Sequence, residues 1–597
     1  MSLSIALSNA LSGLNVSQAG LATVSQNVAN ANTVGYSRQV ISLQQRIIGG
    51  VLNGVEVASI NRIVDSFLVR ELQSQASTLG AAAAAETFFN EIQARFGTTS
   101  NDSTSSANLA DFAAAIESLA TNPEDQALRF EVVAAGIRLA NGISELATSV
   151  QKLRAEADRK IKAAVDTINA ELIVVKDLND RISRAQVNGE SSSSLEDLRD
   201  RAVATIAANI SITTFARDNG QLSILTSDGK TLLDQQLRQL EYSTSALVKS
   251  DTVFSPITIF AVDSVTGEKV GAGEVIVTGG TSDTVVSTFD SGRIKGLLAI
   301  RDGTLHDLAA QVESFAAAVR DGYNAIHNTG TSFPAPNTLT GTRPVSAGDP
   351  FSGTGTVRIA VVDGSGAIVG PPLDLDLAAL GAITVGDLAA TIDAALGANA
   401  TAAIVNGKLE ITATDGANGI AINEGDSQAG GTTQAFSDFF GLNDFFAGTA
   451  AADFSVRTDI MNDPSLLSVG LLSPTAVAGE TGIAIGDNRV ALKLAAFTEE
   501  SITFAAVGGL PAGSYTIADY AAAITGLNAV QAASAFQHAS LQRDLFNNLE
   551  FRTSSISGVN IDEEMANMIV FEQAFAASAR VLNTTAEMFD VLINLVR

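Results

Sequence analysis

The side chains that could do chemistry are few. Three histidines, His306, His327 and His538, stand far apart in 597 residues, and there is no cysteine. That removes disulfides, thiolate metal sites and Cys nucleophiles, and it leaves too few imidazoles for a His-rich metal centre. The chain has no Gly-x-Ser-x-Gly elbow, no Walker A loop and no His-Glu-x-x-His, so the usual nucleophile, phosphate and zinc signatures fail. Gly364-Ser365-Gly366 lies between segments of β period and opens no helix, so it reads as a turn. Asp363, Asp374 and Asp376 lack the other ligands of a calcium loop and read as turn formers. The pairs Glu499-Glu500 and Glu563-Glu564 read as surface or helix N-terminal charges. His306 reads as an interhelical polar group. His327 reads as a helix-end residue where partial positive charge is welcome. His538 reads as structural, beside Phe536, Leu541 and Leu545. No catalytic, cofactor-binding or metal-binding residue is assigned, no cofactor is expected, and the chain reads as a non-enzyme.

Composition narrows the classes further. Hydrophobic residues make up 46% and charged residues 17%, enough for several packed cores and too apolar for a disordered chain. Lys and Arg total 36 against 64 Asp and Glu, a net charge of −28. Such a surface repels phosphate backbones, so no nucleic-acid partner is expected. No apolar run is long enough to span a membrane. The first charged residue is Arg38. A secretory signal needs a basic region before its apolar segment, so the expectation is a chain that stays inside or leaves by a route that reads no such signal.

The positioning elements are helices at both ends. Leu7, Leu14, Leu21 and Val28 recur every seven residues, widened by Leu11 and Val24. At the other end Ile561, Met568, Phe575, Leu582, Phe589 and Val596 keep the same spacing, with Met565, Ala579, Ala586 and Ile593 at i+4. A sustained heptad keeps an apolar seam on one side of a supercoiled helix. The last helix is expected to start after Asn560 with Glu563 as capping-box partner. Ile569, Phe571, Met588, Leu592 and Leu595 make it apolar on further faces, so it needs more than one neighbour.

Between the ends the period changes several times. The expected fold class is α+β and multidomain, with long terminal helices forming a coiled-coil rod and β-rich domains inserted between helical segments. The expected divisions are an N-terminal helical segment 1–60, a helical rod domain 61–206 and a β domain 207–290. A returning helix 291–328, a β-rich insertion 329–514, a rod helix 515–553 and a C-terminal coiled-coil helix 554–597 follow. Within the rod, 151–185 reads as an exposed coiled-coil arm. Turns are expected at Asp228-Gly229 and Asn406-Gly407, and a short helix at 385–396. From Thr331 to Ala535 there are 20 acidic and 6 basic side chains, which suits a solvent-facing, self-repelling domain.

The two ends also carry a recognisable pattern. Ser12-Gly13-Leu14, Asn27-Val28-Ala29-Asn30-Ala31-Asn32-Thr33 and Gly35-Tyr36-Ser37-Arg38-Gln39 resemble the N-terminal signature of bacterial flagellar axial proteins (rod, hook and hook-associated). The Tyr-Ser-Arg-Gln ending is most similar to the hook-associated branch at the hook–filament junction. Ser557-Gly558-Val559-Asn560-Ile561-Asp562-Glu563-Glu564, then Ala576 to Leu582 and Met588-Phe589, resemble the final helix of that branch, and Val34 departs from its usual Pro. The resemblance implies a structural adaptor of the flagellum that joins hook to filament by helical self-assembly. It implies export without a cleaved signal, and an extracellular place in the flagellum. The implied partners are further copies of itself, the hook protein, a second junction protein and a flagellar export chaperone. The expected assembly residues are Leu7, Leu11, Leu14, Leu21, Val28, Ile561, Met568, Phe575, Leu582, Phe589 and Val596, with Asn30, Asn32, Gly35 and Tyr36 forming the turn that leaves the first helix. The alternatives are a hook or rod axial protein, or an exported surface adhesin carried on the β insertion.

Overall fold

The structure, a computed structural model, describes residues 3–48, 51–96, 104–263, 266–279, 287 and 289–595. The chain forms two compact units. One comprises Met1–Phe88, Arg154–Gly303 and Ala533–Arg597, the other Phe89–Leu153 and Thr304–Ala532.

In the first unit, helix α1 spans Leu3–Ala29. The segment 1–60 is not helical throughout, which corrects the expectation. Strands β1 (Gln39–Ile48) and β2 (Val51–Arg62) pair antiparallel, with Gln39 opposite Arg62. The cause is legible afterwards: Val55, Val57 and the β-branched run Val40-Ile41 flank Gly49-Gly50, a hairpin pattern. Helix α2 (Ser66–Phe96) follows and ends in the second unit, to which α3 (Thr104–Thr121) belongs; α4 (Gln126–Asn188) begins in the second unit and ends in the first, and α5 (Ser193–Asn209) lies in the first. The part of α4 at 154–188 is not an exposed arm. Ala157, Ile161, Ile168, Leu172 and Val175 are fully buried on it. Two asparagines bind the β region to this face. Asn169 donates to Leu240 O at 2.8 Å and accepts from Leu240 N at 2.8 Å. Asn179 does the same with Leu222, at 2.8 and 3.0 Å. A primary amide offers the donor–acceptor pair that a neighbouring strand would offer.

Two three-stranded antiparallel sheets make the β region, Ile212–Ala216, Leu222–Thr226 and Thr231–Leu233 in one, Arg238–Glu241, Ile257–Val262 and Lys269–Val277 in the other. Gly229, at φ +89°, makes the expected turn. Beyond it, the short helix Arg293–Leu298 widens into a π-turn at Ala299–Thr304. The wider turn delivers Arg301 into the interior. Arg301 donates to Asp158 at 3.0 Å, to both oxygens of Asp302 at 2.8 Å, and to the Tyr242 hydroxyl. Its guanidinium stacks 3.9 Å from the Phe254 ring centroid. Arg154 donates to the carbonyls of Arg301 and Lys249 nearby. Burial is tolerated because every charge here is paired and hydrogen-bonded.

In the second unit, Thr356–Val362 is the central strand between Leu373–Asp376 and Gly419–Asn423. Val357, Ile359 and Val361 face one core with Leu388, Ile392, Leu409, Ile411 and Phe440. Ala360 and Val362 face another with Ile368, Leu472 and Ile483. Period two places these sets on opposite faces. The expected helix Val385–Leu396 is present, with a Thr384/Asp387 capping box. Asn406 (φ 50°) and Gly407 (φ 73°) join Ala400–Val405 to Lys408–Ala413 through a two-residue hairpin loop, which needs positive φ at both positions. Asp363 caps its own turn, Asp374 pairs with Arg358, and Asp376 caps the helix Leu377–Leu380. Each of the three carboxylates therefore has a structural task.

His327 corrects the helix-end reading. It ends the helix Leu305–His327 fully buried, and burial depresses its pKa to about 4, against a smaller upward pull from its bond to Asn443. It is neutral, not charged. Ser468 N donates to Nε2 at 2.9 Å, so Nδ1 carries the proton and donates to Asn443 O.

Two outcomes follow for stability. Arg301→Ala leaves Asp158 and Asp302 buried without their cation and should cost about 3–5 kcal/mol, read as a lower urea midpoint for the transition reporting the first unit. For His327, the folded pKa lies below the unfolded value. Its contribution is therefore present above pH 6.5 and lost as the pH falls toward about 4, when the unfolded chain takes up the proton first. His327→Gln should destabilise the second unit at pH 7, and its deficit relative to the parent chain should shrink over that window. A deficit that does not change with pH would show that His327 does not titrate there.

Candidate assembly interface

The two chain ends meet through a buried polar knot in the first unit. Asn27, in the last turn of α1, is fully buried. Its Nδ2 donates to Gln39 O and to Glu564 Oε2, each at 2.9 Å. Its Oδ1 accepts from Gln39 N at 3.0 Å and from the Tyr36 hydroxyl at 2.9 Å. One amide thus binds the start of β1, the turn and the C-terminal helix (Ile561–Leu595). Glu564, 1% exposed, also accepts from Arg38 Nε at 2.8 Å, and Arg38 Nη1 meets Glu563 at 2.9 Å. Arg38 N donates to Ser557 O at 2.8 Å. The first charge in the chain is therefore spent on the far end of the chain.

Glu563 and Glu564 stand in the first turn of the last helix, as helix N-terminal charges do, but Glu564 is buried and not a surface charge. Glu563 turns its carboxylate to Arg38, while Asn560 alone caps the helix by accepting from the amides of Asp562 and Glu563. Burial, with Asp197 and Glu564 nearby, pushes the Tyr36 phenol up to about 12, so it stays a hydrogen-bond donor. Ser37 N donates to Asp197 at 3.0 Å, and Arg62 clamps Glu196, Asp197 and Asp200 at 2.8, 3.0 and 2.6 Å. The hairpin and α5 are fixed together by that clamp.

Of the expected turn residues, Asn30 accepts from Thr33 and donates to Gln26 O, and Asn32 is exposed. Gly35 adopts φ +76°, and a Cβ there would lie 2.7 Å from Arg201 Cδ, so the position favours glycine. The turn is organised by Asn27 as much as by these four.

Beyond the knot, α1 and the C-terminal helix pack along their length. Leu7, Leu14, Leu21 and Val28 are half-buried and Leu11 is exposed. The buried residues of α1 are instead Ala10, Ser12, Val16, Ser17, Gly20, Thr23, Val24 and Asn27. A Cβ on Gly20 would sit 2.5 Å from the Phe571 ring, and one on Gly13 2.8 Å from Ser578 Oγ. Small residues let the helices approach closely. On the partner helix, Met568, Phe575, Leu582 and Phe589 are half-buried, as expected, but their companions lie at i+3. Glu564 and Thr585 are buried, Phe571 and Ser578 half-buried. The expected i+4 row is largely outside: Met565, Ala586 and Ile593 are exposed and Ala579 is half-buried. Ile561 is exposed, and Val596 lies outside the described residues.

The flank beside that seam is bare: Ala574, Val581 and Met588 recur every seven residues, with Val570, Ala577 and Val591 next to them and Thr584 interrupting, and all are exposed. Val581 is 48%, Met588 54% and Val591 60% accessible. Two apolar rows on adjoining sides of one helix call for more than one partner, and among the described residues the second row is uncovered. Among the described residues no group of three or more His, Asp or Glu could hold a metal ion, and no helix is long and apolar enough to cross a membrane.

Sequence reasoning missed Asn27, Glu564, Arg62 and Asp197 as interface residues. The available signal was Arg38, whose isolation after an uncharged stretch asks for a carboxylate, and an amide inside an otherwise apolar or small-residue seam.

Three family models match. One described as the flagellar hook-associated protein FlgK helical domain covers residues 89–338. One for the flagella basal body rod protein covers 7–36, and one for the flagellar basal body rod FlgEFG protein C-terminal covers 553–595. Flagellar hook-associated protein 1 of Escherichia coli (strain K12) is 26% identical over 605 residues, spanning 99% of each chain. Its counterpart of the same name in Bacillus subtilis (strain 168) is 23% identical, over 98% of this chain and 97% of that one. Among solved structures, the flagellar hook junction protein FlgK from Burkholderia pseudomallei aligns with a TM-score of 0.46 at 15% identity, covering 82% of this chain and 100% of the other.

Glu564→Ala should strip Asn27 and Arg38 of their shared acceptor and cost the terminal helix pair about 2 kcal/mol. The check is amide hydrogen exchange: protection in α1 should fall roughly thirtyfold at that cost, while the strand Thr356–Val362 in the second unit stays unchanged.

Proposed function

We propose that the chain is a hook-associated protein of the bacterial flagellum, a non-enzymatic adaptor at the hook–filament junction that assembles through α1 and the C-terminal helix. The observation that carries the assembly reading is a second, exposed apolar row on the C-terminal helix, beside the row that α1 covers. The inner row is covered by α1. The outer row, from Val570 to Val591, is bare. Fully burying a Val or Met side chain stabilises by about 1.5–3 kcal/mol, so several such positions per copy are enough to drive a lattice. The uncharged stretch before Arg38 adds to this, because α1 brings no charge that would have to be desolvated in a crowded interface.

Export through the flagellar channel without a cleaved signal suits a chain with no cysteine, since nothing has to be reduced before it unfolds. The hook protein, a second junction protein and an export chaperone are the partners this function requires. A rod or hook protein is the nearest alternative. The long helical region from 66 to 209 and the match over 89–338 favour the hook-associated branch.

Removing 562–597 should abolish incorporation at the hook tip while the second unit remains folded. The sharper variant is Val581→Lys with Met588→Lys. Both residues lie on the bare face, so monomer stability should change by no more than about 0.5 kcal/mol, while incorporation into the flagellum falls at least tenfold. Parental incorporation by the double variant would mean that the outer row is not an assembly surface.

A further inference from the structure

Six Asn-Gly pairs occur in the chain, beginning at Asn53, Asn141, Asn188, Asn219, Asn406 and Asn418. An asparagine followed by glycine can modify itself. The glycine nitrogen attacks the side-chain carbonyl carbon, ammonia leaves, and a five-membered succinimide forms. Water then opens the ring at one carbonyl to give aspartate, or at the other to give isoaspartate, which adds a methylene to the backbone. No oxidant and no co-reactant other than water enters. Glycine favours the step because it has no Cβ to crowd its nitrogen.

The fold ranks the six pairs. Ring closure needs the glycine nitrogen turned toward the asparagine Cβ. At Asn406 the left-handed backbone (φ 50°) turns that nitrogen away, and the hairpin holds it there. Gly54 and Gly419 lie in strands, packed against Ser12 Oγ and Ala335 O. The Asn219 amide is held at both ends by Gln221, at 3.0 and 3.2 Å. Asn141 lies inside the 63-residue α4, where freeing the glycine nitrogen means opening the helix from within. Asn188 differs from all five. It is exposed and is the last residue of α4, and Gly189 is exposed with open space where a Cβ would stand. From a helical backbone, roughly a quarter turn in ψ brings the glycine nitrogen to the side chain, and helix ends fray at little cost.

We propose that Asn188 is a self-modification site, converted to aspartate and isoaspartate in the folded protein ahead of the other five pairs. What surrounds it sets the consequence. Gly189, at φ +73°, ends α4 in a Schellman turn. Glu190 N donates to Ala185 O at 2.8 Å, and Gly189 N to Gln186 O at 3.2 Å. The longer bond is the one that must open to release the nucleophile. An extra methylene between residues 188 and 189 puts both bonds out of register. The new carboxylate stands at a helix C-terminus, where the macrodipole disfavours negative charge. Just beyond, Ser193 Oγ donates to Ile60 O at 3.0 Å, and Glu196 is held by Arg62. The modification therefore acts on the joint between α4 and α5 that anchors the hairpin of β1 and β2.

The test uses the full-length protein, held at mildly alkaline pH for increasing times, digested and read by peptide mass spectrometry. The signal is the mass gain of replacing NH2 by OH, with isoaspartate separated from aspartate by retention. A parallel series is held in urea. In native buffer the peptide containing Asn188 should convert about tenfold faster than any of the other five, because only there is the opening nearly free. In urea that lead should vanish. A native series led by another Asn-Gly pair, or the same ranking in both series, overturns the proposal. Asn188→Gln keeps an amide but lengthens the ring that would have to close, and it should remove the mass gain from that peptide. A gain that persists in this variant places the reaction on another residue and overturns the assignment.

Discussion

Glu564 takes a negative charge into a seam between helices whose sequences lie 537 residues apart at Asn27. A carboxylate there is tolerated only because Asn27 and Arg38 bring it donors. Those two residues in turn hold the turn, the first strand and the end of the penultimate helix. Remove the carboxylate and an amide and a guanidinium are left without their acceptor; remove the donors and a charge is stranded. The knot therefore fixes register and orientation more than it adds stability, which is the best-attested use of buried polar groups in paired helices.

Given that register, the terminal pair is asymmetric. The face of the C-terminal helix that meets α1 is filled by Phe571, Phe575, Leu582 and Phe589, closed against glycine and serine. The flank beside it carries Val570, Val581, Met588 and Val591, which are exposed. The outward side of α1 is different: Ser4, Asn15, Gln18 and Ser25 are exposed there beside Leu11, so it is uncharged and mostly polar. A helix with an apolar outer row beside one with a neutral polar coat is suited to close packing on one side and to hydrated contact on the other.

Much of this was legible in the sequence. Heptad spacing placed both terminal helices, and turn chemistry placed the hairpin at Asn406-Gly407 and the helix at Val385. The choice between i+3 and i+4 companions was not legible, because the i+4 row (Met565, Ala579, Ala586, Ile593) is the more apolar while the inner i+3 row (Glu564, Phe571, Ser578, Thr585) is mostly polar, so hydropathy alone points to the wrong one. Small residues decided it: Gly13 and Gly20 admit Ser578 and Phe571, and no hydropathy pattern gives weight to a glycine. The hairpin at 39–62 was missed because the search followed the seven-residue period past the point where it stops. His327 was misjudged for a related reason. A helix end favours a cation in water, but burial removes the water, and desolvation outweighs the partial charge.

The contact at Gly20 has a further consequence. The Phe571 ring lies where only a bare backbone leaves room. Sliding α1 by one turn in either direction would put Val16 or Val24 beneath the ring, and neither can yield that space. The two helices are therefore notched at Gly20 and, one heptad earlier, at Gly13, and the ends of a very long polypeptide are gauged against each other by missing methyl groups. Every copy then presents its outer row at the same height, which is what a repeating wall asks of its bricks.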